Sequence, residues 1–312
     1  MLKYVLKRLG YILVTLWVIV TCTFFMMKNL PGTPFDAERF SIMTPQQQER
    51  VLEMYGLNDS LPMQYVKYIK NMLKGDLGTS FTYVNQDVSK VITGRLGPSA
   101  LIGIQAVLIG LAIGLILGIL AAWKHNSGID YFTMILAVLG VSVPNFVAAA
   151  LLQYYIGLKW GVLPVGFWTG WNCSVLPSIA LSFSATAMVA RFMRTEMLDV
   201  LDQDYIVTAR AKGLSQMKVL VRHAVRNSIL PVVTILGPIV VNLMTGSLAV
   251  ENIFSIPGIG SLFVDCIKAN DYPVIMGITI FYAAFYMLIV LLVDLAYSLI
   301  DPRIRLAKGK ES

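Results

Sequence analysis

The chain has 312 residues, of which 56% are hydrophobic and 14% are charged, and its formal net charge is +7. Soluble domains are about 45–50% apolar and about 25% charged, so this chain has too little charge to cover a soluble surface, which argues against a soluble globular enzyme. The apolar content excludes a disordered protein, and three cysteines are too few for a disulfide scaffold.

Six segments are predicted to span a membrane, because each offers the roughly 20 mostly apolar residues that a bilayer crossing needs. A basic stretch precedes the first segment and no small-residue cleavage site follows it, so it is predicted to be a retained signal anchor. Within the third segment, Val143-Pro144-Asn145 predicts a kink or a break. The six segments are approximately Leu9–Met27, Ser99–Trp123, Tyr131–Leu158, Val175–Met193, Ile229–Val250 and Val274–Ile300.

An even number of spans puts both termini on the same side of the membrane. That side carries 15 of the 25 Lys and Arg residues, including Lys3, Lys7 and Arg8. Positive charge collects in cytoplasmic loops, so both termini are predicted to be cytoplasmic. The net charge is therefore attributed to these loops, and nucleic-acid binding is not expected.

The chain is predicted to divide into three parts. Residues 1–94 form the first span and a folded extracytoplasmic segment, which contains turn signals and helical patterning. Residues 95–301 form a transmembrane domain, and residues 302–312 form a cytoplasmic tail. The transmembrane domain includes a cytoplasmic loop, residues 194–228, between the fourth and fifth spans.

This cytoplasmic loop is predicted to contain two helices. Asp202 and Asp204 offer oxygens that could cap the first helix, and Gly213 can adopt the left-handed conformation that ends it. Ser215 is predicted to cap the second helix, which ends before Pro231 starts the fifth span.

A helix of two turns is not stable alone, so the first helix must pack against something. It could lie on lipid headgroups, with the basic residues of the loop facing the membrane. Alternatively, it could dock onto a cytoplasmic partner. The small residues Ala209 and Gly213 favour docking, because they permit the close approach of another backbone.

The sequence of this loop also has a specific resemblance. Thr208-Ala209-Arg210-Ala211-Lys212-Gly213 resembles the EAA loop of bacterial ABC importer permeases, and more narrowly that of the B-type permease subunit of oligopeptide and dipeptide (peptide/nickel) importers. Val207 stands where the general EAA pattern has Glu. Further stretches similar to that subunit occur in order along nearly the whole chain, namely 1–8, 75–78, 251–254, 257–260, 270–273 and 301–303.

This resemblance implies an all-α, six-span, type I ABC importer permease fold and a division of labour. The helix 205–213 would sit in a cleft of an ATPase subunit, and the residues implied in coupling are Tyr205, Ala209, Arg210, Lys212 and Gly213. The resemblance also implies a second, similar permease subunit, one or two kinds of ATPase subunit that use ATP and Mg²⁺, and an extracytoplasmic peptide-binding protein. The location would be the bacterial cytoplasmic membrane, with membrane lipid around the spans.

The expected substrates are short peptides, with nickel or glutathione as the alternative within the same fold. The chain has no G-x-x-x-x-G-K-[ST] phosphate loop, so it is predicted to be no enzyme and to bind no cofactor itself. An ion-coupled secondary transporter would favour inverted repeats and several intramembrane charges, and a membrane-embedded enzyme would need a convergent catalytic set. The sequence offers none of these features.

Small and polar residues inside the spans suggest further roles. Gly110, Gly114 and Gly118 recur every four residues and predict a packing seam, either within the chain or against a second permease. Thr234, Pro238, Asn242 and Thr245 share one helical face, which could line the translocation pathway or make hydrogen bonds between helices. Ser182 and Asp294 complete the candidate pathway residues.

Other chemistry has little support in the sequence. No metal-ligand spacing is present, and the two histidines, His125 and His223, are far apart. Cys173 and Cys266 lie in predicted outer loops and could pair, but free thiols are the expected state.

Overall fold

The computed structural model describes residues 2–29, 40, 42–54, 56–83, 86–244 and 248–300. Over these ranges the regular secondary structure is helical, and the only β-type pairing is an isolated antiparallel bridge between Thr79 and Asp87. In chain order the α-helices are α1 (Leu2–Lys28), α2 (Pro45–Met54), α3 (Leu61–Met72), α4 (Val88–Trp123), α5 (Gly128–Ser142), α6 (Asn145–Leu152), α7 (Val175–Leu201), α8 (Asp204–Ala211), α9 (Gln216–Val219), α10 (Arg226–Met244), α11 (Leu248–Ile253), α12 (Ile259–Lys268) and α13 (Tyr272–Ile300). The all-α prediction is confirmed.

The six predicted spans are confirmed when one bent pair of helices is counted as a single span. Five helical stretches are long and apolar enough to cross a membrane, and these are Lys7–Lys28, Val88–Trp123, Trp171–Leu201, Gln216–Ile253 and Tyr272–Val293. The sixth consists of α5 together with α6 and the π-helical turn that continues it to Lys159. The protein is therefore a multi-pass membrane protein.

The bent pair breaks where the sequence predicts it. The axes of its two halves differ by 100° in direction. Val143 is extended, with φ −81° and ψ 117°, and Pro144 follows it. Pro has no backbone N–H to donate and its ring disfavours a helical residue before it, so the helix ends at Ser142 and restarts at Asn145.

Pro231 behaves differently from the expectation that it starts the fifth span. It lies inside α10, and a π-helical turn joins this helix to α9, so the second helix of the cytoplasmic loop continues into the span. This stretch is also packed against α7. The buried Ser228 hydroxyl donates to the carbonyl of Glu196 on α7 at 3.2 Å, and Val232 is buried.

The described residues form two compact units. The first combines residues up to 97 with residues 258–287, and the second combines 98–257 with 288–300. Apolar packing joins the two parts of the first unit, because Val88 and Ile92 are buried together with Leu262, Ile275 and Ile278.

A buried carboxylate also holds the first unit together. Asp271 is fully buried and accepts hydrogen bonds from the Ser80 hydroxyl and from the backbone N–H groups of Phe81 (3.2 Å) and Thr82 (3.0 Å). These bonds attach the segment before α4 to the turn before α13.

The second unit is organised around α7, which carries a long series of buried residues. Helices α5, α6 and α10 all pack against it. Its buried positions include Leu181, Ala185, Val189, Met193 and Met197. The helix that leads directly into the cytoplasmic loop is therefore the central helix of this unit.

Candidate coupling helix and translocation face

The short helix α8 begins and ends close to the predicted positions, but its first residue is capped differently. Gln203 occupies the N-cap position with an extended backbone, so neither Asp202 nor Asp204 does, and Asp204 is the acidic residue of the first turn. Its charge there still suits the positive end of the helix dipole.

Helix α8 ends just before Gly213, as predicted. Gly213 has φ +78°, a left-handed conformation that L side chains rarely adopt. Its N–H donates to the carbonyl of Arg210 at 2.9 Å, and the N–H of Lys212 donates to that of Thr208 at 3.0 Å. These bonds satisfy carbonyl groups that the end of the helix would otherwise leave open.

Helix α8 presents one face to its own chain and the other outward. Ile206 and Ala209 are 0% and 6% exposed and are buried with Val219. The small side chain of Ala209 therefore packs against its own chain and does not face outward. The outward face includes Tyr205 and Val207, which are 42% and 58% exposed.

Four of the five predicted coupling residues are exposed, namely Tyr205, Arg210, Lys212 and Gly213. The Tyr205 hydroxyl accepts a hydrogen bond from Asn227 Nδ2 at 3.2 Å, which ties the start of α8 to the start of α10. A Cβ atom added to Gly213 would meet no atom of the residues that the structure describes within 4 Å. The space outside Gly213 is therefore open to a partner.

A cavity of about 440 Å³ lies beside α8. Its walls include the aliphatic side chains of Leu201, Leu214 and Leu220, and Arg210 contributes a charged group. Trp123, the last residue of α4, completes one side. The outward face of α8 and this cavity together form a surface with aromatic, apolar and basic character.

An ion-pair network between the start of α5 and the last turns of α7 was missed by the sequence analysis. Asp130 at the start of α5 is 2% exposed and receives two hydrogen bonds from the Arg194 guanidinium, Nε to Oδ1 at 2.5 Å and Nη2 to Oδ2 at 2.8 Å. His125 Nδ1 lies 3.1 Å from Oδ2, and the N–H of Asn126 donates to the same oxygen at 3.0 Å.

One signal in the sequence could have indicated this network. Asp130 and Arg194 carry opposite charges at the ends of two spans that the predicted topology places on the same side. The ion pair connects α5 to the last turns of α7, from which α8 follows directly. The ion pair therefore links the span that leads into α8 to a second span.

The candidate pathway residues fall into different environments. Thr234, Pro238 and Asn242 are all exposed along one face of α10, as their spacing predicts. The Thr234 hydroxyl donates to the carbonyl of Pro231 at 2.6 Å. Ser182 instead is 2% exposed, inside the core around α7, and its hydroxyl donates to the carbonyl of Ile179 at 2.8 Å. Thr245 and the side chain of Asp294 lie outside the described residues.

The three glycines of the seam pack within the chain, against α7. A Cβ at Gly110 would lie 2.7 Å from the Cβ of Ala185, and one at Gly118 would lie 2.6 Å from the carbonyl oxygen of Ala190. One at Gly114 would lie 2.8 Å from the Cβ of Val189. Real Cβ contacts are longer, so larger residues would push α4 and α7 apart.

Among the described residues, neither the cysteines nor the potential metal-ligating side chains form a disulfide or a metal site. Cys173 and Cys266 are buried free thiols, and burial raises the pKa of the Cys266 thiol to about 12, which keeps it protonated. Within the part of the chain that the structure describes, no three His, Cys, Asp or Glu side chains come together as a possible metal site.

Two motif stretches that carried the resemblance have structural roles. The buried Glu251 accepts a hydrogen bond from the Ser99 hydroxyl at 2.7 Å, and Asp271 makes the contacts described above. Each connects residues that are far apart in the chain, so these acids stabilise the fold around the outer loops.

Comparison with known families finds matches to both halves of the chain. Residues 114–306 match the family described as binding-protein-dependent transport system inner membrane component. Residues 1–96 match the N-terminal part described for the membrane component of such systems.

Individual relatives align over almost their whole length. The dipeptide transport system permease protein DppB of Lactococcus lactis is 46% identical, covering 98% of this chain and 100% of that protein. DppB of Bacillus subtilis is 43% identical, covering 99% of each. The oligopeptide transport system permease protein OppB of Haemophilus influenzae is 39% identical, covering 98% and 100%.

Two solved structures share the fold at low sequence identity. A chain of an amino acid ABC transporter crystallised with histidines has a TM-score of 0.51 at 20% identity, covering 69% of this chain and 94% of that one. A chain of the MetNI methionine ABC transporter in inward-facing conformations has a TM-score of 0.54 at 14% identity, covering 68% and 97%.

Proposed function

Because the chain belongs to the family of binding-protein-dependent transport system inner membrane components, we propose that it is the permease subunit of an ATP-driven importer of short peptides. The names of its relatives, dipeptide and oligopeptide permeases, support peptides over nickel or glutathione as the cargo. The importer works in the bacterial cytoplasmic membrane, with both termini of this chain in the cytoplasm.

The observation that carries the proposed mechanism is the outward face of α8. A partner ATPase subunit binds this face, with Tyr205, Arg210, Lys212 and Gly213 in contact and Ala209 supporting the helix from behind. One or two kinds of ATPase subunit supply the ATP and Mg²⁺ chemistry. This chain has no phosphate-binding loop, so the energy of ATP hydrolysis reaches it only through such a contact.

Movement of α8 drives alternating access in a pair of permease subunits. The attachment of α8 to α7, and of α7 to α5 through Arg194 and Asp130, supports motion of these spans as one body. The second, similar permease faces the exposed side of α10, and Thr234 and Asn242 line the pathway between the two subunits. An extracytoplasmic peptide-binding protein delivers the cargo to the outer loops.

Transport by the purified complex in proteoliposomes tests this proposal. The complex, its binding protein and internal ATP are combined with a radiolabelled dipeptide, a pentapeptide, nickel or glutathione in separate reactions. We expect ATP-dependent accumulation of peptide. Accumulation of nickel or glutathione without peptide, or peptide accumulation without any ATPase subunit, would contradict it.

A further inference from the structure

A second cavity, remote from the coupling helix in the chain, lies at the end of α1 within the first compact unit. Its volume is about 340 Å³, which is in the range of small-molecule sites. The walls come from the end of α1, from α3 and from the start of α13. Apolar side chains such as Phe24, Leu57 and Met276 line most of it, and a few polar groups stand among them.

One of these polar groups is a buried hydroxyl. The Tyr68 hydroxyl oxygen is inaccessible to solvent and has no hydrogen-bond partner among the residues that the structure describes. Burial raises the pKa of Tyr68, so the hydroxyl stays protonated and can donate. A buried hydroxyl without a partner costs free energy, which a ligand with an acceptor oxygen would recover.

A positively charged side chain, Lys28, lines the same cavity. Lys28 Nζ lies 5.8 Å from the centre of the Phe24 ring, and the Tyr68 ring centre lies 5.8 Å from that same point. In the described ranges Lys28 is half-buried and forms no ion pair with a carboxylate. Lys28 and the Tyr68 ring therefore both lie next to Phe24, and both residues line one cavity.

The other polar side chains of the wall differ in availability. Lys67 already pairs with Asp59 at 2.6 Å, and Gln64 donates to the carbonyls of Leu57 (3.2 Å) and Asp59 (2.8 Å). Glu53 is exposed and contributes the one carboxylate named in the lining of this cavity in the described part of the chain. The cavity thus offers a buried donor and a cation together with an exposed anion.

We propose that this cavity binds the carboxylate end of a short peptide. The carboxylate oxygens pair with Lys28 and, once the Tyr68 side chain shifts to expose its hydroxyl to the cavity, accept a hydrogen bond from it, while an apolar side chain of the peptide packs against Phe24. The peptide amino group faces Glu53, which favours a ligand with both charges over a purely anionic lipid headgroup. The inference rests on the proposed function, and it adds a binding site for the cargo on the outer side of this chain.

Equilibrium binding of radiolabelled Leu-Leu to the purified complex tests the site. The complex, without its binding protein, is placed in nanodiscs of phosphatidylcholine, and binding is compared with that of Leu-Leu amide. A charge-assisted hydrogen bond changes an affinity by about tenfold or more, so we expect the amide to bind about tenfold more weakly.

Three substitutions make the test specific. Tyr68→Phe removes only the hydroxyl and Lys28→Gln removes only the charge, so each is expected to weaken Leu-Leu binding by about tenfold. Lys67→Gln is the matched control, because the ammonium group of Lys67 is already paired with Asp59. The affinity of this variant for Leu-Leu should match that of the unsubstituted protein. Thermal unfolding of each variant verifies that the fold is retained.

Several results would overturn the inference. The first is equal binding of Leu-Leu and its amide, and the second is an unchanged affinity for Leu-Leu in both Tyr68→Phe and Lys28→Gln. The third is displacement of the radiolabelled Leu-Leu by phosphatidylglycerol but not by unlabelled peptide. If peptide uptake by the unsubstituted complex continues, these results remove the cavity and leave the proposed function intact. Failure of peptide uptake itself would remove the proposed function.

Discussion

At the level of single residues, the carboxylate of Asp130 connects parts of the chain that are far apart in sequence. It is almost completely buried and forms a bidentate ion pair with the Arg194 guanidinium. His125 and the backbone N–H of Asn126 are its other hydrogen-bond partners. A buried ion pair adds little stability compared with an apolar pair, but removing one partner leaves the other charge uncompensated.

Asp130→Asn is therefore expected to destabilise the protein by about 3 kcal/mol, because the Arg194 charge loses its counter-ion and an amide N–H₂ group faces other donors. Thermal unfolding of the purified protein in detergent measures the loss. Asp87→Asn is the control: the Asp87–Lys90 pair is on the surface, with 55% and 80% of the side chains exposed, and its loss should cost under about 1 kcal/mol. Equal losses in both variants would contradict the structural role of Asp130.

At the level of elements, α8 combines a defined end with an exposed outer face. Ile206 and Ala209 attach it to the chain, and it ends before Gly213, where an added Cβ would meet no atom of the described residues within 4 Å. A helix of two turns is not stable alone, and the buried face supplies the packing that it needs. The open side is therefore available to a partner without any rearrangement of this chain.

Gly213→Phe is expected to leave the protein inserted while lowering the peptide taken up per ATP hydrolysed. The side chain would block the ATPase contact, and the left-handed backbone adds about 1–2 kcal/mol of strain. Gly75→Phe is a matched control, because Gly75 has φ +82° and equally open surroundings but lies outside the cytoplasmic loop, in the segment that we predict to be extracytoplasmic. Uptake and ATP hydrolysis are measured in the same proteoliposomes, and an unchanged ratio in Gly213→Phe would remove α8 from the coupling path.

At the level of the whole molecule, the chain exposes one polar face along α10. Thr234, Pro238 and Asn242 follow each other on this face, whereas Ser182 on α7 is enclosed by apolar residues. Polar groups in a membrane are costly unless they face a cavity or another helix. A face of this kind is therefore expected to adjoin the pathway between two permease subunits.

Asn242→Leu is expected to reduce peptide uptake by about fivefold without lowering membrane abundance, because one hydrogen-bonding contact with the passing peptide is worth about 1 kcal/mol. Thr15→Val is the control, because Thr15 is exposed on a different span, α1. Its hydroxyl donates only to the carbonyl of Tyr11, in the same way as the Thr234 hydroxyl on the polar face of α10 donates to the carbonyl of Pro231. Uptake is normalised to the amount of protein in the membrane. Similar uptake by both variants would place the pathway elsewhere.

Features that depend on neighbouring residues could be predicted from the sequence. The number of spans follows from the length and apolarity of continuous segments, and the bend in the third follows from the missing N–H of Pro144. The end of α8 follows from the freedom of Gly213 to adopt a positive φ. Each of these properties belongs to a single stretch of chain, so no knowledge of packing was needed.

Features that depend on distant residues were decided by the tertiary structure. The spacing of Gly110, Gly114 and Gly118 indicates a seam but names no partner, and the packing supplies α7. Ala209 is small because it faces its own chain, and Asp130 meets an arginine 64 positions away. Helical periodicity states which residues share a face, but the surroundings of that face depend on how the helices pack.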